Sequence, residues 1–286
     1  FNKKNIKIIE DGGFDGYVVR EVSKKFKAKS YLIEPNKTGA KIASSENIVV
    51  KNSFLEKKIT NKMSGLFDVV ICKHVIEHVK DLGSFIKNLK NLLSKNGILI
   101  IETPDLKMIF KKSLTREFIL QHLHYFSIIT LKKIFTGLSI DKYHTTKQEN
   151  SLIVAFTNKN NKKKTMKNVN LKKEIFLKNL NKNIQSLKLF CTKNIKKKIW
   201  IYGASSSVND IFSLYKIQKK FISGIIDTDK KKMKLEIPIQ KNLKIHFFKN
   251  NKISKKSGII VVSTAKNEVI KTLKMNGYVG PKYIFQ

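Results

Sequence analysis

Short apolar runs alternate with segments of helical periodicity from the start of the chain to about residue 157. The apolar runs predict five strands, at residues 6–10, 30–34, 48–50, 67–72 and 97–102. Strands that alternate with helices in this way are typical of a parallel sheet whose strands are joined by crossover helices. The alternation therefore predicts an α/β fold for this part of the chain.

The clearest helix lies between the fourth and fifth predicted strands. Its apolar residues recur at helical spacing and form one stripe, at Leu82, Phe85, Ile86, Leu89, Leu92 and Leu93. Asp81 stands where an N-cap belongs, and Asn96 and Gly97 stand where the helix should stop. Further along, the sequence predicts a helix over residues 131–138 and a hairpin of strands at 140–146 and 151–157.

A second α/β pattern follows a polar break at residues 158–170 and a basic helix expected over residues 171–190. Its strands are expected at residues 199–202, 221–226, 244–248 and 258–263, with helices over 207–215 and through Val269, Ile270 and Leu273. We therefore divide the chain into a first domain at residues 1–157, a basic linker and helix at 158–197, and a smaller α/β domain at 198–286.

The charge of the chain is strongly positive, with 58 lysines and arginines against 21 acidic residues and a formal net charge of +37. Arginine, however, occurs only at Arg20 and Arg116. Proteins that read nucleic acid favour arginine, because its planar fork grips phosphates and guanine edges in pairs. Lysine is spread over nearly every segment, which indicates a compositional bias. We therefore expect no specific nucleic-acid partner.

Several classes of protein are disfavoured by simple counts. Two cysteines, Cys72 and Cys191, are too few for a disulfide framework or a four-thiolate zinc site, so no metal site is expected. The longest apolar runs have the length of strands and are far too short for a membrane span. No secretory leader pattern is visible at the start of the chain. These features predict a soluble, cytoplasmic protein.

A carboxylate and a glycine-rich turn follow the first predicted strand. Glu10 precedes Gly12, Gly13 and Gly16, and such a turn lets the backbone pass close to a ligand. The spacing departs from the Gly-x-Gly-x-x-Gly fingerprint of dinucleotide-binding proteins. Glu34 ends the next predicted strand, where a carboxylate can accept hydrogen bonds from both hydroxyls of a ribose. The carboxylate would repel a phosphate, so a cofactor without phosphates is favoured.

These motifs, followed by FDVVICKHVIEHV at residues 67–79 and LLSKNGIL at 92–99, resemble class I S-adenosylmethionine-dependent methyltransferases. The resemblance implies a Rossmann-like fold, the cofactor S-adenosyl-L-methionine and a set of cofactor-binding residues. That set is Glu10, Gly12, Gly13, Gly16, Glu34, Asn52, Ser53, Phe54 and His74. In it, Gly12 and Gly16 line the methionine, Glu34 holds the ribose, residues 52–54 flank the adenine and His74 lies beside the sulfonium. One departure is Asp11, where relatives usually carry an apolar residue.

The second half is similar to the C-terminal domain of sugar C-methyltransferases. The similarity is carried by IWIYGAS at residues 199–205, IIDTDK at 225–230 and IPI at 237–239. In that family a Tyr-His-Glu-His run before Tyr-(Phe/Tyr)-Ser supplies the base. This chain keeps His122 but has Gln121 and Leu120 in place of the glutamate and the first histidine. The family's cysteine-rich zinc-binding N-terminal domain is absent, and the start at Phe1 suggests a fragment.

The resemblance implies carbon methylation of a nucleotide-linked keto sugar, with the C-terminal domain binding the nucleotide sugar. His122 is the first candidate for the base that removes a proton from carbon, and His124 and Tyr125 are second. His74 and His78 are alternatives. O-methylation of a glycan or small molecule is the closest other activity, and a non-catalytic module that binds nucleotide sugar or RNA is a further alternative.

The sequence lacks the motifs of two other classes of methyltransferase. An amide or nucleobase N-methyltransferase would carry an Asn/Asp-Pro-Pro-aromatic turn, where this chain has Cys72, Lys73 and His74. An RNA cytosine-C5 enzyme would need a Pro-Cys nucleophile, and neither cysteine follows a proline. The expected substrate is therefore a small molecule or a nucleotide sugar.

Overall fold

The computed structural model describes residues 5–146, 150–158, 171–235, 243–248, 253–263 and 265–285. Residues 159–170 of the predicted polar break and the IPI motif at 237–239 lie outside these residues. The described chain forms two compact units: residues 1–109 with 119–171, and residues 110–118 with 172–286. None of the described helices combines the length and the apolar character that crossing a bilayer requires.

Seven strands and six α-helices are described in the first unit. The count includes the fifth helix, whose last residues belong to the second unit. The strands are β1 (Lys7–Asp11), β2 (Lys29–Ile33), β3 (Val49–Lys51), β4 (Phe67–Lys73), β5 (Leu93–Pro104), β6 (Ser139–Thr145) and β7 (Ser151–Thr157). The helices are α1 (Tyr17–Phe26), α2 (Lys37–Ser44), α3 (Lys57–Lys62), α4 (Leu82–Leu92), α5 (Leu106–Lys112) and α6 (Ile128–Ile134).

The seven strands form one sheet in the order β3-β2-β1-β4-β5-β7-β6. The first five are parallel, whereas β7 runs antiparallel between β5 and β6. The predicted hairpin of the last two strands is thereby confirmed. The order of the strands reverses between β1 and β4, and in open α/β sheets ligands bind outside the carboxyl ends of the strands at such a point.

Both faces of this sheet are covered. Successive side chains of a strand point to opposite faces, and neighbouring residues of β1 accordingly join different apolar clusters. Ile9 packs in the cluster that contains Leu89 of α4. Ile8 packs in the cluster that contains Val19 of α1. Burial on both faces explains why the parallel strands are continuously apolar in sequence.

The predicted boundary between the fourth helix and the fifth strand is wrong. The helix predicted to stop at Asn96 and Gly97 ends at Leu92, and β5 begins at Leu93 because this residue already pairs with Phe67 of β4. Asp81 does cap that helix, with its carboxylate accepting from the amide of Ser84 at 3.0 Å.

The helix predicted over residues 131–138 begins earlier, at Ile128. Its start is set by a capping box in which Ser127 and Thr130 accept from each other's main-chain amides. The periodicity of the apolar residues carried no sign of this polar pair.

The second unit contains a smaller sheet of five parallel strands. Its elements are α7 (Lys173–Lys193), β8 (Ile199–Tyr202), α8 (Ser207–Ser213), β9 (Ile222–Asp227), β10 (Ile245–Phe247), β11 (Gly258–Val261), α9 (Lys266–Met275) and β12 (Lys282–Ile284). The sheet order is β10-β9-β8-β11-β12. The predicted α/β fold with a second, smaller Rossmann-like sheet is thus confirmed.

The helix placed in the linker by the sequence belongs to the core of this second unit. Leu180, Leu187 and Cys191 of α7 are buried in one cluster with Ile199 of β8. Residues 110–118 also join the second unit; Thr115, for example, donates to Asp210 of α8 at 3.0 Å. Segment 110–118 thus contacts helices that are distant in sequence, since Phe110 and Phe118 also pack on Phe176 of α7, and local patterning does not reveal such contacts.

Candidate active site

A cleft of about 990 Å³ opens at the carboxyl ends of the central strands of the first unit. Its lining includes Asp11, Gly12, Glu34, Phe54, His74 and His78. Of the predicted cofactor-binding residues, Gly12, Glu34, Phe54 and His74 therefore line it. The others, Glu10, Gly13, Gly16, Asn52 and Ser53, are not among the residues that line it. This position matches the point where the strand order reverses.

Two glycines shape the turn between β1 and α1. Gly12 has a φ of 75° and Gly16 a φ of 70°, a region that residues with a Cβ rarely adopt. A Cβ on Gly12 would overlap the side chain of Val75 on the cleft wall, and one on Gly16 would overlap Ile48. Gly12 therefore exposes main chain to the cleft, while Gly16 lets α1 approach the sheet closely.

Glu10 supports this turn from behind. Its side chain is buried and accepts a hydrogen bond from the amide of Val19 at 2.9 Å. A Cβ on Gly13 would collide with the Glu10 carboxyl. Burial raises the pKa of Glu10 to about 7. These contacts make Glu10 and Gly13 supports of the turn, and their predicted contact with the cofactor stays a prediction.

Glu34 lies buried at the end of β2 on the cleft wall. Its carboxylate accepts from the amides of Phe14 at 2.8 Å and Asn36 at 2.6 Å, which fixes its orientation. Asn52 donates to the main-chain oxygen of Glu34 at 2.7 Å and so holds the strand end without lining the cleft. Each carboxylate oxygen keeps a further acceptor site, which suits a ribose diol.

An exposed aromatic ring completes the part of the cleft that suits an adenosyl group. Phe54 is 70% exposed although it lies on the wall of a cleft. Exposed apolar rings in clefts commonly provide a flat surface for a ligand. Phe54, the Glu34 carboxylate and the bare main chain at Gly12 together fit S-adenosylmethionine, whose base, ribose and amino-acid portion need these three kinds of surface.

Asp11 is an unusual residue for such a wall. It is 4% exposed, at the end of β1, and lines the cleft. Burial raises its pKa to about 7, and the neighbouring negative charges of Glu34 and Glu10 add to the increase. Asp11 is therefore part protonated near neutral pH.

His74 is held between two carboxylates at the end of β4. Its Nδ1 lies 3.1 Å from Oε1 of Glu77, and its Nε2 lies 3.5 Å from Oε1 of Glu102. Burial alone would lower the pKa of His74, but the hydrogen bonds to Glu102 and Glu77 outweigh it and raise the pKa to about 9. His74 is consequently an imidazolium at neutral pH, which makes it a poor general base.

His78 follows in the 3₁₀ turn Ile76–His78 and also lines the cleft. Its Nδ1 lies 2.8 Å from the main-chain oxygen of Gln121. A carbonyl oxygen only accepts hydrogen bonds, so Nδ1 carries the proton and Nε2 of the neutral ring keeps its lone pair. His78 therefore has the tautomer that a proton acceptor needs.

The predicted catalytic run at residues 122–125 packs against this edge of the cleft. The rings of His78 and His122 have centroids 5.0 Å apart, and those of His122 and Tyr125 are 6.2 Å apart. His124 uses its Nε2 to donate to the main-chain oxygen of Val79 at 2.9 Å. The run thus contacts the cleft wall at His78 and Val79, while its predicted catalytic role stays a prediction.

The same edge brings together three potential metal ligands. Donor atoms of Glu77, His78 and His122 lie within 4.8 Å of one another. The Glu77 carboxylate, however, already interacts with His74 and accepts from Thr103 at 3.2 Å.

Comparison with known proteins supports the assignment suggested by this geometry. Residues 1–139 match a family model described as a methyltransferase domain. Ubiquinone biosynthesis O-methyltransferase of Rickettsia canadensis is 47% identical over 55 residues, which are 19% of this chain and 23% of the relative. The Pelagibacter ubique protein of that name is 32% identical over 105 residues, 35% of this chain and 42% of the relative. The chain thus spans less than half the length of these curated relatives.

Solved methyltransferase structures resemble the chain at low sequence identity. Magnesium protoporphyrin IX methyltransferase from Synechocystis PCC 6803, with bound SAH, superposes with a TM-score of 0.45 and 17% identity over 55% of this chain and 76% of that one. A methyltransferase from Aquifex aeolicus superposes with a TM-score of 0.43 and 16% identity over 54% and 82%.

The strand order with its reversal between β1 and β4, the glycine turn and Glu34 at the cleft agree with the match to the family model. The cofactor of this family is S-adenosylmethionine. The N-terminal part of the chain is a class I S-adenosylmethionine-dependent methyltransferase domain.

Proposed function

We propose that the chain methylates a hydroxyl oxygen of a small molecule and that His78 is the general base. The hydrogen bond from Nδ1 of His78 to the main-chain oxygen of Gln121 carries the proposal. In the neutral ring this bond leaves Nε2 as the acceptor atom, and His78 lines the cleft that fits the cofactor. A hydroxyl becomes a strong nucleophile when its proton is removed, and one positioned imidazole is sufficient for that step.

The cofactor would be held by the residues already described. Glu34 would accept from the ribose hydroxyls, Phe54 would cover the base, and the main chain at Gly12 would contact the amino-acid portion. When bound, S-adenosylmethionine supplies a methyl group that carries partial positive charge on a sulfonium. The residues of this chain position the acceptor, take up its proton and balance the charge around the sulfonium.

His74 contributes charge balance to this site. Its imidazolium lies between Glu77 and Glu102, and Lys73 also pairs with Glu102 at 3.2 Å. The two carboxylates thereby face two cations, so the cluster presents no excess positive charge to a sulfonium. This arrangement keeps His74 protonated and leaves the proton transfer to His78.

The names of the relatives agree with oxygen as the acceptor. Both reported curated relatives are named as O-methyltransferases. Their similarity covers part of each protein, so their substrates are not transferred to this chain. They support the class of reaction, while the identity of the hydroxyl compound is left to experiment.

Carbon methylation of a nucleotide-linked keto sugar is the second candidate. A crevice of about 350 Å³ lies at the carboxyl ends of β8, β9 and β11 in the second unit. Gly203 lines it, and the Asp227 carboxylate on its wall accepts from the amide of Ala204 at 2.8 Å. A crevice at such a reversal of strand order suits a nucleotide. His122 would remain the first candidate for the base in that reaction.

A methyl-transfer assay distinguishes these reactions. The full chain is incubated with S-adenosylmethionine labelled in its methyl group and with a panel of phenols, alcohols and 4-keto nucleotide sugars. Label on oxygen supports the proposal, and label on carbon supports the second candidate. Saturable binding of S-adenosylhomocysteine without transfer to any acceptor of the panel would favour the non-catalytic alternative.

A further inference from the structure

The carboxyl group of Asp11 is buried at the end of β1 without a bonding partner in the described protein. Asp11 is 4% exposed and lines the cleft of the first unit. Among the described residues, its carboxyl accepts no hydrogen bond and pairs with no cation. Buried polar groups are nearly always hydrogen-bonded, and burying a carboxylate without a partner is costly. The fold itself therefore gives no reason for a carboxyl group at this position.

The ionisable groups around Asp11 leave its charge uncompensated. Burial, followed by the negative charges of Glu34 and Glu10, raises the pKa of Asp11 to about 7. Cys72, its register partner on β4, is fully buried, and burial raises the pKa of that thiol well above its usual value, so it stays neutral. This part of the cleft wall therefore carries a negative charge at weakly alkaline pH, and a positively charged ligand would balance it.

The place of Asp11 in the sheet indicates which part of the cofactor it faces. β1 lies between β2 and β4, and Asp11 pairs in register with Ile33 and Cys72 of these strands. Glu34, the expected ribose ligand, follows Ile33, whereas the turn that carries His78 follows β4. In S-adenosylmethionine the sulfonium joins the ribose to the methionine portion and carries the methyl group. A carboxyl between the ribose site and the expected base therefore suits the sulfonium.

We propose that Asp11 contacts the sulfonium of S-adenosylmethionine and gives the cleft a preference for the cofactor over its product, S-adenosylhomocysteine. The inference rests on the proposed placement of the cofactor beside Glu34 and His78. A sulfonium is a permanent cation without a proton to donate, so a nearby negative charge is what stabilises it. The product has a neutral thioether at the same place and loses this attraction.

The energetic cost of the buried carboxylate falls on folding, and the charge is already in place when the cofactor binds. Relatives usually carry an apolar residue at the position of Asp11, so the preference belongs to this chain and does not follow from the fold. Because the product is bound less tightly than the cofactor, the carboxylate favours the exchange of product for fresh cofactor after each transfer.

Calorimetry with the full chain at pH 8, where Asp11 is largely ionised, tests the contact with both ligands. Asp11→Asn keeps the shape of the side chain and removes its charge. It should weaken binding of S-adenosylmethionine about tenfold or more and change that of S-adenosylhomocysteine less than about twofold. Asp11→Leu, which cannot form hydrogen bonds, should show the same loss of preference. Asp15→Asn is the matched control, because Asp15 lies in the same turn but outside the cleft lining.

Two results would overturn the proposal. Equal weakening of both ligands by Asp11→Asn would assign the carboxyl to a portion that they share, and unchanged affinity for both would show that it contacts neither. Glu34→Gln, measured in parallel, separates this result from the placement of the cofactor. If Glu34→Gln weakens both ligands and Asp11→Asn weakens neither, only the sulfonium contact is wrong. If neither variant weakens either ligand, the placement of the cofactor is wrong as well.

Discussion

The Nδ1 atom of His78 lies 2.8 Å from the main-chain oxygen of Gln121, and this contact joins the turn after β4 to the segment that carries His122. Two further bonds support the junction, because the amides of Leu123 and His124 both donate to the main-chain oxygen of Glu77. The segment is therefore held against the cleft by main-chain atoms. The orientation of His78 depends on this backbone geometry and is insensitive to the side chain at position 121.

Replacement of Glu34 tests the cofactor site. Glu34→Gln removes the charge that strengthens hydrogen bonds to the ribose, and such bonds contribute about 1.5–3 kcal/mol. We expect binding of S-adenosylhomocysteine, measured by calorimetry, to weaken roughly tenfold or more. Glu46→Gln is the control, because Glu46 is exposed and lies outside the cleft lining. Unchanged affinity in Glu34→Gln with a folded protein would contradict the assignment of the ribose site.

Replacement of His78 tests the base. His78→Asn should lower kcat about 10²–10⁴-fold, as expected for loss of a general base, and should leave the affinity for S-adenosylhomocysteine nearly unchanged. The measurement is initial rate with the acceptor identified by the labelling assay. His144→Asn, an exposed histidine of β6, should keep full activity. If His122→Asn abolishes turnover and His78→Asn does not, the base is His122.

The imidazolium of His74 predicts a stability that falls at alkaline pH. The pKa of His74 is raised from 6.5 to about 9 in the folded protein. Its contribution is therefore fully present below about pH 6.5 and is lost as the pH rises through about 9. We expect the difference in Tm between the wild type and His74→Asn to shrink from pH 6 to pH 10. A difference that stays constant over this range would show that the ion pairs contribute nothing to folding.

The buried carboxyl of Asp11 predicts that a substitution which removes its charge stabilises the folded protein. Its pKa is raised from 3.8 to about 7, so folding is penalised increasingly between these values and fully above about pH 7. Asp11→Asn should gain at least about 1 kcal/mol over the wild type at pH 8, and less at pH 5, by urea denaturation. The exposed Asp141→Asn variant should show no such trend. A gain that is equal at both pH values would assign the effect to packing.

Much of the first sheet could be predicted from local sequence. The first four strands lie within one residue of their predicted bounds, and the glycine turn and Glu34 stand where the motif implied. Apolar runs, turn glycines and caps act over a few neighbouring residues, so a single segment reveals them. Predicted boundaries are wrong where a residue pairs with a strand that is distant in sequence. Leu93, for example, begins β5 because it pairs with Phe67 of β4.

The sequence by itself determined the α/β class, the glycine turn and the carboxylate at the end of β2, because periodicity and turn chemistry are local properties. Only the tertiary structure decided that Nδ1 of His78 meets a main-chain oxygen while the ring lines the cleft, since Gln121 is far from His78 in sequence. It likewise decided that residues 110–118 join the second unit, where Thr115 donates to Asp210, because such contacts depend on how surfaces pack across long stretches of chain. Residue type predicted the candidates, and long-range packing selected their roles.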